Sequence, residues 1–394
     1  MTPDQPSPPP AQKKRIQFID LLRGWAVIVM IETHVVNATI TDAIRATAAF
    51  DVLQFINGLV APAFLFASGM AFAITTRRKV QDYLSFGMPF FRQIGRLALI
   101  LVVGYVLHIP KFEYEHLLHE TKPEAWLHFF QVDVLQCIAV SIILLQLLLL
   151  GVRTERRLYL VTALMTVAIV AGTPLVWQID FSGMLAAPLA AYMNAQNGSL
   201  FPLFPWAAFL FAGAIAGYAY LEHAQRNAGE PGGRSYAQTA ASAGVIMIVA
   251  SFLLHPVGVT IYPVYDYWHT SPSFYLLRLG IVMLLCAGMF LYETRHGVRQ
   301  SSPVTLIGRQ SLIVYVVHLM LVYGRLGGES FNDRVGRSFG YAEAMVTALI
   351  LFALMYLLAL AWERIKRGPA PARYALEGIV LAAFLYVFFF VRWG

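Results

Sequence analysis

The chain has 394 residues, 58% of them hydrophobic and only 13% charged, with a net charge of +7 and a mean hydropathy of +0.62. So little charge over this length excludes a water-soluble globule and points to an all-α polytopic membrane protein. The basic excess does not indicate nucleic-acid binding, because lysines and arginines cluster at the ends of apolar runs.

Residues 1–14, proline-rich and polar, read as a disordered cytoplasmic tail, and residues 15–394 as one transmembrane domain. Runs of about 20 apolar residues predict spans at 17–38, 52–75, 93–110, 132–151, 157–174, 203–221, 239–257, 273–292, 306–324, 342–362 and 374–391, about eleven in all. The alternating ten-residue pattern of a membrane β-barrel is missing. Basic clusters at 13–15, 77–79, 153–157, 295–299 and 364–373 fall in alternate loops, which predicts a cytoplasmic N-terminus and an extracytoplasmic C-terminus. Cys137 and Cys286 both lie within spans and imply no disulfide framework. No internal repeat is visible.

The first span is the most informative, because it is apolar enough to insert yet holds Asp20, Arg23, Glu32 and His34. An Asp or Arg near mid-span costs roughly 2.5–3.5 kcal/mol, so several of them on one helix point to a protein-lined cavity. In a helix, positions eleven apart return to nearly the same angle, so Arg23 and His34 share a face about 16 Å apart along the axis. Asp20 and Asn37 fall on the same flank, and Glu32 points about half a turn away. The plainer alternative is an Asp20–Arg23 ion pair with His34 bonded to a neighbouring helix.

Further along, Pro62 interrupts the second span, and Pro202, Pro205 and Trp206 open the sixth, where Gly213 and Gly217 form a small-xxx-small packing pattern. His116 and His119 lie between the third and fourth spans without the zincin order, so the segment reads as interfacial and no metal is assigned. The aromatic loop Tyr262 to His269, with Trp268, suits sugar stacking or interfacial anchoring equally. In the ninth span Ser311, Tyr315 and His318 share a helical face, with Arg309 at its cytoplasmic end, placed to meet an anion or to snorkel to headgroups. Serine-hydrolase elbows, Walker loops, dinucleotide fingerprints and cysteine metal spacings are absent.

Asp20-Leu-Leu-Arg23-Gly24 followed by His34, Ala61-Pro62 with Phe66-Ala-Ser-Gly69, Val134-Leu-Gln136, Phe201-Pro-Leu-Phe-Pro-Trp206, and Gly308-Arg-Gln-Ser311 with Tyr315 and His318 together resemble the heparan-α-glucosaminide N-acetyltransferase-like family. The spacing from Arg23 to His34 also looks like that of the acyltransferase 3 family. The resemblance implies a bundle of about eleven helices that takes acetyl-CoA from the cytoplasm and acetylates a sugar or glycan on the far side. Arg23 matches the family's arginine. The lysosomal animal enzymes carry Asn where this chain has His34, and their catalytic histidine falls in a stretch, Ala38 to Phe50, that holds none here. Amine and hydroxyl acceptors therefore both stay open.

On this reading His34 is the general base, with an acetyl-histidine intermediate as the variant, and Arg23 and His318 complete the catalytic set. Arg23, Arg309 and Ser311 hold the acyl-CoA donor, while Asp20, Asn37, Trp206 and Trp268 contact the acceptor. Membrane lipids surround the chain, nucleic acid is not a partner, and homo-oligomerisation is left open. The competing function is a proton-coupled transporter of a small molecule or glycan precursor, which uses the same ionisable residues as a pathway.

Overall fold

The computed structural model describes residues 16–226, 234–299, 302–324 and 330–392; the expected tail at 1–14 lies outside the described residues. In chain order the helices are α1 (Gln17–Thr39), α2 (Asp42–Arg45), α3 (Ala48–Asn57), α4 (Val60–Leu84), α5 (Met88–Val106), α6 (Tyr114–His119), α7 (Pro123–Phe129), α8 (Val134–Val152) and α9 (Glu155–Val176). There follow α10 (Ala187–Ala190), α11 (Leu203–Arg226), α12 (Arg234–Ile261), α13 (Pro272–His296), α14 (Pro303–Arg309), α15 (Ser311–Tyr323), α16 (Phe331–Val335), α17 (Tyr341–Arg367) and α18 (Ala370–Phe390). Helices are what the composition demands, since a chain in lipid must satisfy its backbone within each segment.

Nine of the eleven predicted spans coincide with one helix each, and those at 52–75 and 306–324 each cover two. Among the described residues nine helical stretches, α3 with α4 counted as one and α1 not among them, are long and apolar enough to cross a membrane, and α14 with α15 makes a tenth if the two count as one span. The 23 residues of α1 extend about 34 Å, enough to reach across a hydrocarbon core of about 30 Å despite its charges. Two details differ from expectation. The second span breaks at Gly58 and Leu59 rather than at Pro62, which sits in the first turn of α4, where a missing N–H costs nothing. The predicted span 306–324 is not continuous either, because α14 and α15 meet at 89° around Gln310.

Three close helix crossings set the bundle. A Cβ on Gly24 of α1 would lie 2.0 Å from the Val304 carbonyl oxygen, and one on Gly308 of α14 would lie 2.1 Å from that of Asp20. The same reciprocity joins α4 to α11, with Gly69 against Leu210 and Gly213 against Phe66, and joins α12 to α13 through Gly244 and Gly280. Within a bilayer, where burial of apolar surface gives no drive between helices, such backbone contact is the main source of association.

Central α1 is anchored at both ends. Its first N–H groups, on Gln17 and Phe18, donate to the carboxylate of Glu293 of α13 at 3.2 and 2.6 Å, which supplies the cap that Ile16 cannot. At the other end Arg45 donates to the carbonyls of Ile40 and Asn37, and a parallel bridge pairs Ile40 with Phe339. The end where α1 finishes is the outer end in the orientation expected from charge. At the opposite end Arg77 ties α4 to Glu155 of α9 and Glu222 of α11.

Candidate functional site

The end-to-end hold on α1 fixes what its outer turns present to neighbouring helices. On the flank toward α15, the half-buried His34 ring lies 5.2 Å from that of His318, centroid to centroid. The Tyr323 ring stands edge-on to His34 at 5.5 Å. Tyr323 Oη lies 3.2 Å from His34 Nδ1 and donates to the His34 carbonyl at 3.4 Å. With the phenol hydrogen on that carbonyl, Nδ1 is the donor to Oη, one of the two tautomers this contact accepts. In that tautomer the Nε2 nitrogen has the lone pair a general base needs.

His318 is fully buried. Its Nδ1 donates to the Val314 carbonyl at 2.7 Å, and its buried Nε2 has no hydrogen-bond partner among the described residues. One turn back on α15, Tyr315 Oη donates to Asp133 Oδ2 at 3.0 Å, and Asp133 lies 3.9 Å from His108 Nε2. The other Asp133 oxygen caps the first N–H of α8 at 2.7 Å. Polar groups from α1, α5, α8 and α15 thus meet around two imidazoles.

A cavity of about 540 Å³ opens beside this cluster, lined by His108, Lys111, His128, Gln131 and Tyr323 among others. It touches the cluster twice, through Tyr323 and through His108, and its wall is about half polar. That volume lies within the range that takes a small ligand.

The other expected site residues distribute unevenly. Arg23 is half-buried on the same face of α1 as His34, next to the Gly24 crossing, and Asp20 is buried with its carbonyl against Gly308. Ser311 begins α15 directly after the bend. Arg309 Nη2 donates to both carboxylate oxygens of Glu363 at 2.9 and 2.8 Å, so this guanidinium is already engaged by α17. Asn37 accepts from Gln54 Nε2 at 3.0 Å. Trp206 and Trp268 are not beside His34. They gather around Phe274 of α13, Trp268 stacking edge-on to it at 4.8 Å, while Arg278 lies between the Phe274 and Trp206 rings.

The profile of the family described as heparan-alpha-glucosaminide N-acetyltransferase, catalytic, matches residues 15–256, more than half of the chain. The chain belongs to this family. Among curated proteins, no sequence matches it. As a heparan-α-glucosaminide N-acetyltransferase family member it is a multi-pass membrane transferase. The matched region runs from α1 into α12 and includes Arg23, His34, His108, Asp133 and Trp206. Arg278, Arg309, His318 and Tyr323 lie beyond it, so half of the imidazole cluster comes from outside the family profile.

Sequence reasoning overlooked Tyr323, Asp133 and His108. Tyr323 lies five residues beyond His318, off the face that Ser311, Tyr315 and His318 share. Asp133 carried a readable signal, since an Asp directly before an apolar run is a helix cap and an acid held at a span entrance. Among the described residues no group of three His, Cys, Asp or Glu could hold a metal ion. His116 and His119 instead face Glu120 and Glu115 along α6.

Proposed function

We propose that this protein moves an acetyl group from cytoplasmic acetyl-CoA to an amine or hydroxyl of an extracytoplasmic sugar or glycan. The observation that carries the reading is the approach of His34 to His318, with Tyr323 joining that pair to the polar cavity. The acceptor N–H or O–H attacks the thioester carbonyl while His34 Nε2 takes its proton. The C–S bond then breaks, and the thiolate leaves as CoA and acquires a proton. Tyr323 holds the tautomer in which Nε2 is bare, and His318 lends a second imidazole behind it. A base of this kind contributes about 10²–10⁴-fold.

Arg23, about half a helix length inward on the same face, is assigned to the phosphates or pantetheine amides of the donor, with Ser311 beside the bend. Arg309 is assigned to shaping that entrance through Glu363 rather than to direct contact. The acceptor is assigned to the cavity at Lys111, His128 and Gln131. Asp20 and Asn37 border the His34 face at its two ends, and Trp206 and Trp268 lie on the other flank.

The test is acetyl transfer from radiolabelled acetyl-CoA to a panel of glucosamine-bearing acceptors, by full-length protein in nanodiscs. Wild type is expected to consume the donor and label an acceptor, and His34→Ala to lose at least 100-fold. Full transfer by His34→Ala removes the base. The broken α14–α15 helix is the one feature that favours a transporter, since half-helices often line transport sites. Gradient-driven flux without any consumption of acetyl-CoA would establish that function instead.

A further inference from the structure

The opposite flank of α1 leads to a cation without a counter-charge. Arg278 lies about two turns inside the outer end of α13, half-buried, with its guanidinium 3.9 Å from the Phe274 ring centroid and 5.8 Å from that of Trp206. Among the described residues it makes no ion pair and no hydrogen bond, and its Nε is buried without an acceptor. The buried Nε of Arg23 also lacks an acceptor among the described residues, while three other half-buried arginines are served by oxygen acceptors. Arg309 has Glu363, Arg77 has Glu155 and Glu222, and Arg45 has the carbonyls that close α1.

The Arg278 Nη2 lies in contact range of Gly58, at the break between α3 and α4. The neighbouring buried Asn57 gives its amide to the Glu32 carboxyl group instead. Buried polar atoms in a folded protein are almost always paired, so a guanidinium whose buried Nε has no acceptor among the described residues marks a place where something else binds. Two aromatic faces hold the guanidinium in plane and leave its N–H edge for an acceptor, the arrangement that reads planar or tetrahedral oxyanions.

We propose that Arg278, held between Phe274 and Trp206 beside the α3–α4 break at Gly58, binds a carboxylate or phosphate group of a ligand entering from the outer half of the membrane. This site is separate from the His34 cluster and stands whether or not acetyl transfer occurs. Phosphate chemistry has two sources here, a sugar-borne phosphate or a lipid headgroup, and both present the same oxygens to the guanidinium.

The experiment measures binding to full-length protein in phosphatidylcholine nanodiscs, by titration calorimetry and by the unfolding midpoint. The probes are glucosamine 6-phosphate, glucuronate and uncharged glucosamine. One acidic probe is expected to bind at least tenfold more tightly than glucosamine, and Arg278→Gln to remove that preference. Arg278→Lys should keep part of it, because the charge remains without the planar edge. Trp206→Ala should weaken it several-fold, and both serve as readouts if Arg278→Gln does not fold. Replacing half the lipid with phosphatidylglycerol assigns the source. Loss of the acidic-probe preference in wild type names a headgroup as the resident ligand, and its persistence names a sugar-borne group. Equal affinity for charged and uncharged probes in both lipids, or an unchanged preference in Arg278→Gln, overturns the site.

Discussion

Two residues of one helix, His34 and Glu32, face opposite flanks of α1 and meet opposite fates. On the His34 flank most nearby polar groups interlock, Tyr323 with His34, Tyr315 with Asp133 and Asp133 beside His108, and His318 Nε2 is left over among the described residues. On the Glu32 flank Arg278 keeps an unused donor, and aromatic rings stand where acceptors are needed. Polarity alone does not separate these flanks, because each holds titratable and amide groups at similar depth. The difference lies in reach. The first has long hydroxyl-bearing rings that bridge helices, which preorganises a proton acceptor, and the second leaves valences for a ligand.

The largest effect should come from changes that destroy both flanks at once. A methyl on Gly308 or Gly69 would sit about 2 Å from a backbone carbonyl oxygen, with values of 2.1 and 1.9 Å. Neither neighbour is a side chain that can swing away, so the crossing must open. Gly308→Ala and Gly69→Ala are expected to cost about 3 kcal/mol or more, the upper end for overpacking, and to abolish monodisperse protein in size-exclusion chromatography. Gly95→Ala provides the contrast. Nothing lies within 4 Å of that added methyl, and the helix should gain stability, by up to ~1 kcal/mol. Normal yields of Gly308→Ala would mean that α1 is not held by α14, and neither flank would then be fixed.

The next effect separates the flanks. His34→Ala is expected to lower acetyl transfer by about 10²–10⁴-fold while the acidic-probe preference at Arg278 stays intact. Tyr323→Phe should be milder, because it removes one oriented hydrogen bond worth about 0.5–1.5 kcal/mol, or roughly 3–10-fold in rate. The loss should appear in kcat with KM for acetyl-CoA unchanged, as befits a residue that sets the tautomer of the base. A variant that transfers at the wild-type rate shows that Tyr323 is only a packing partner.

Periodicity made the architecture legible, because 20-residue apolar runs and the 3.6-residue turn fix both the spans and the shared face of Arg23 and His34. The bend at Gln310 was not legible: Arg309, Gln310 and Ser311 are all residues a continuous helix accepts, and the break is held by tertiary contacts such as Lys366 Nζ on Gln310 Oε1 at 2.8 Å. Pro62 misled for the complementary reason, since a proline is costly inside a helix and harmless in its first turn. Helix-wheel geometry correctly set Glu32 apart from His34, yet no one-dimensional pattern pairs Trp206 of α11 with Arg278 of α13. That contact exists only because Gly69 and Gly213 bring α11 against α4, and Gly58 ends α3 beside the guanidinium.

The smallest expected effect sharpens the comparison furthest. Glu32→Gln keeps the shape of the side chain and its approach to Asn57, and replaces a carboxyl group whose buried Oε1 has no hydrogen-bond partner among the described residues. An amide that cannot ionise is cheaper to bury than a carboxyl group that can, so the unfolding midpoint should rise slightly, corresponding to about 1 kcal/mol or less. Acetyl transfer should stay within about twofold of wild type, since the substitution leaves the His34, Tyr323 and His318 contacts untouched. A large fall in transfer with normal stability would show that α1 conducts between its flanks, and that the carboxylate behind the base sets its orientation or charge.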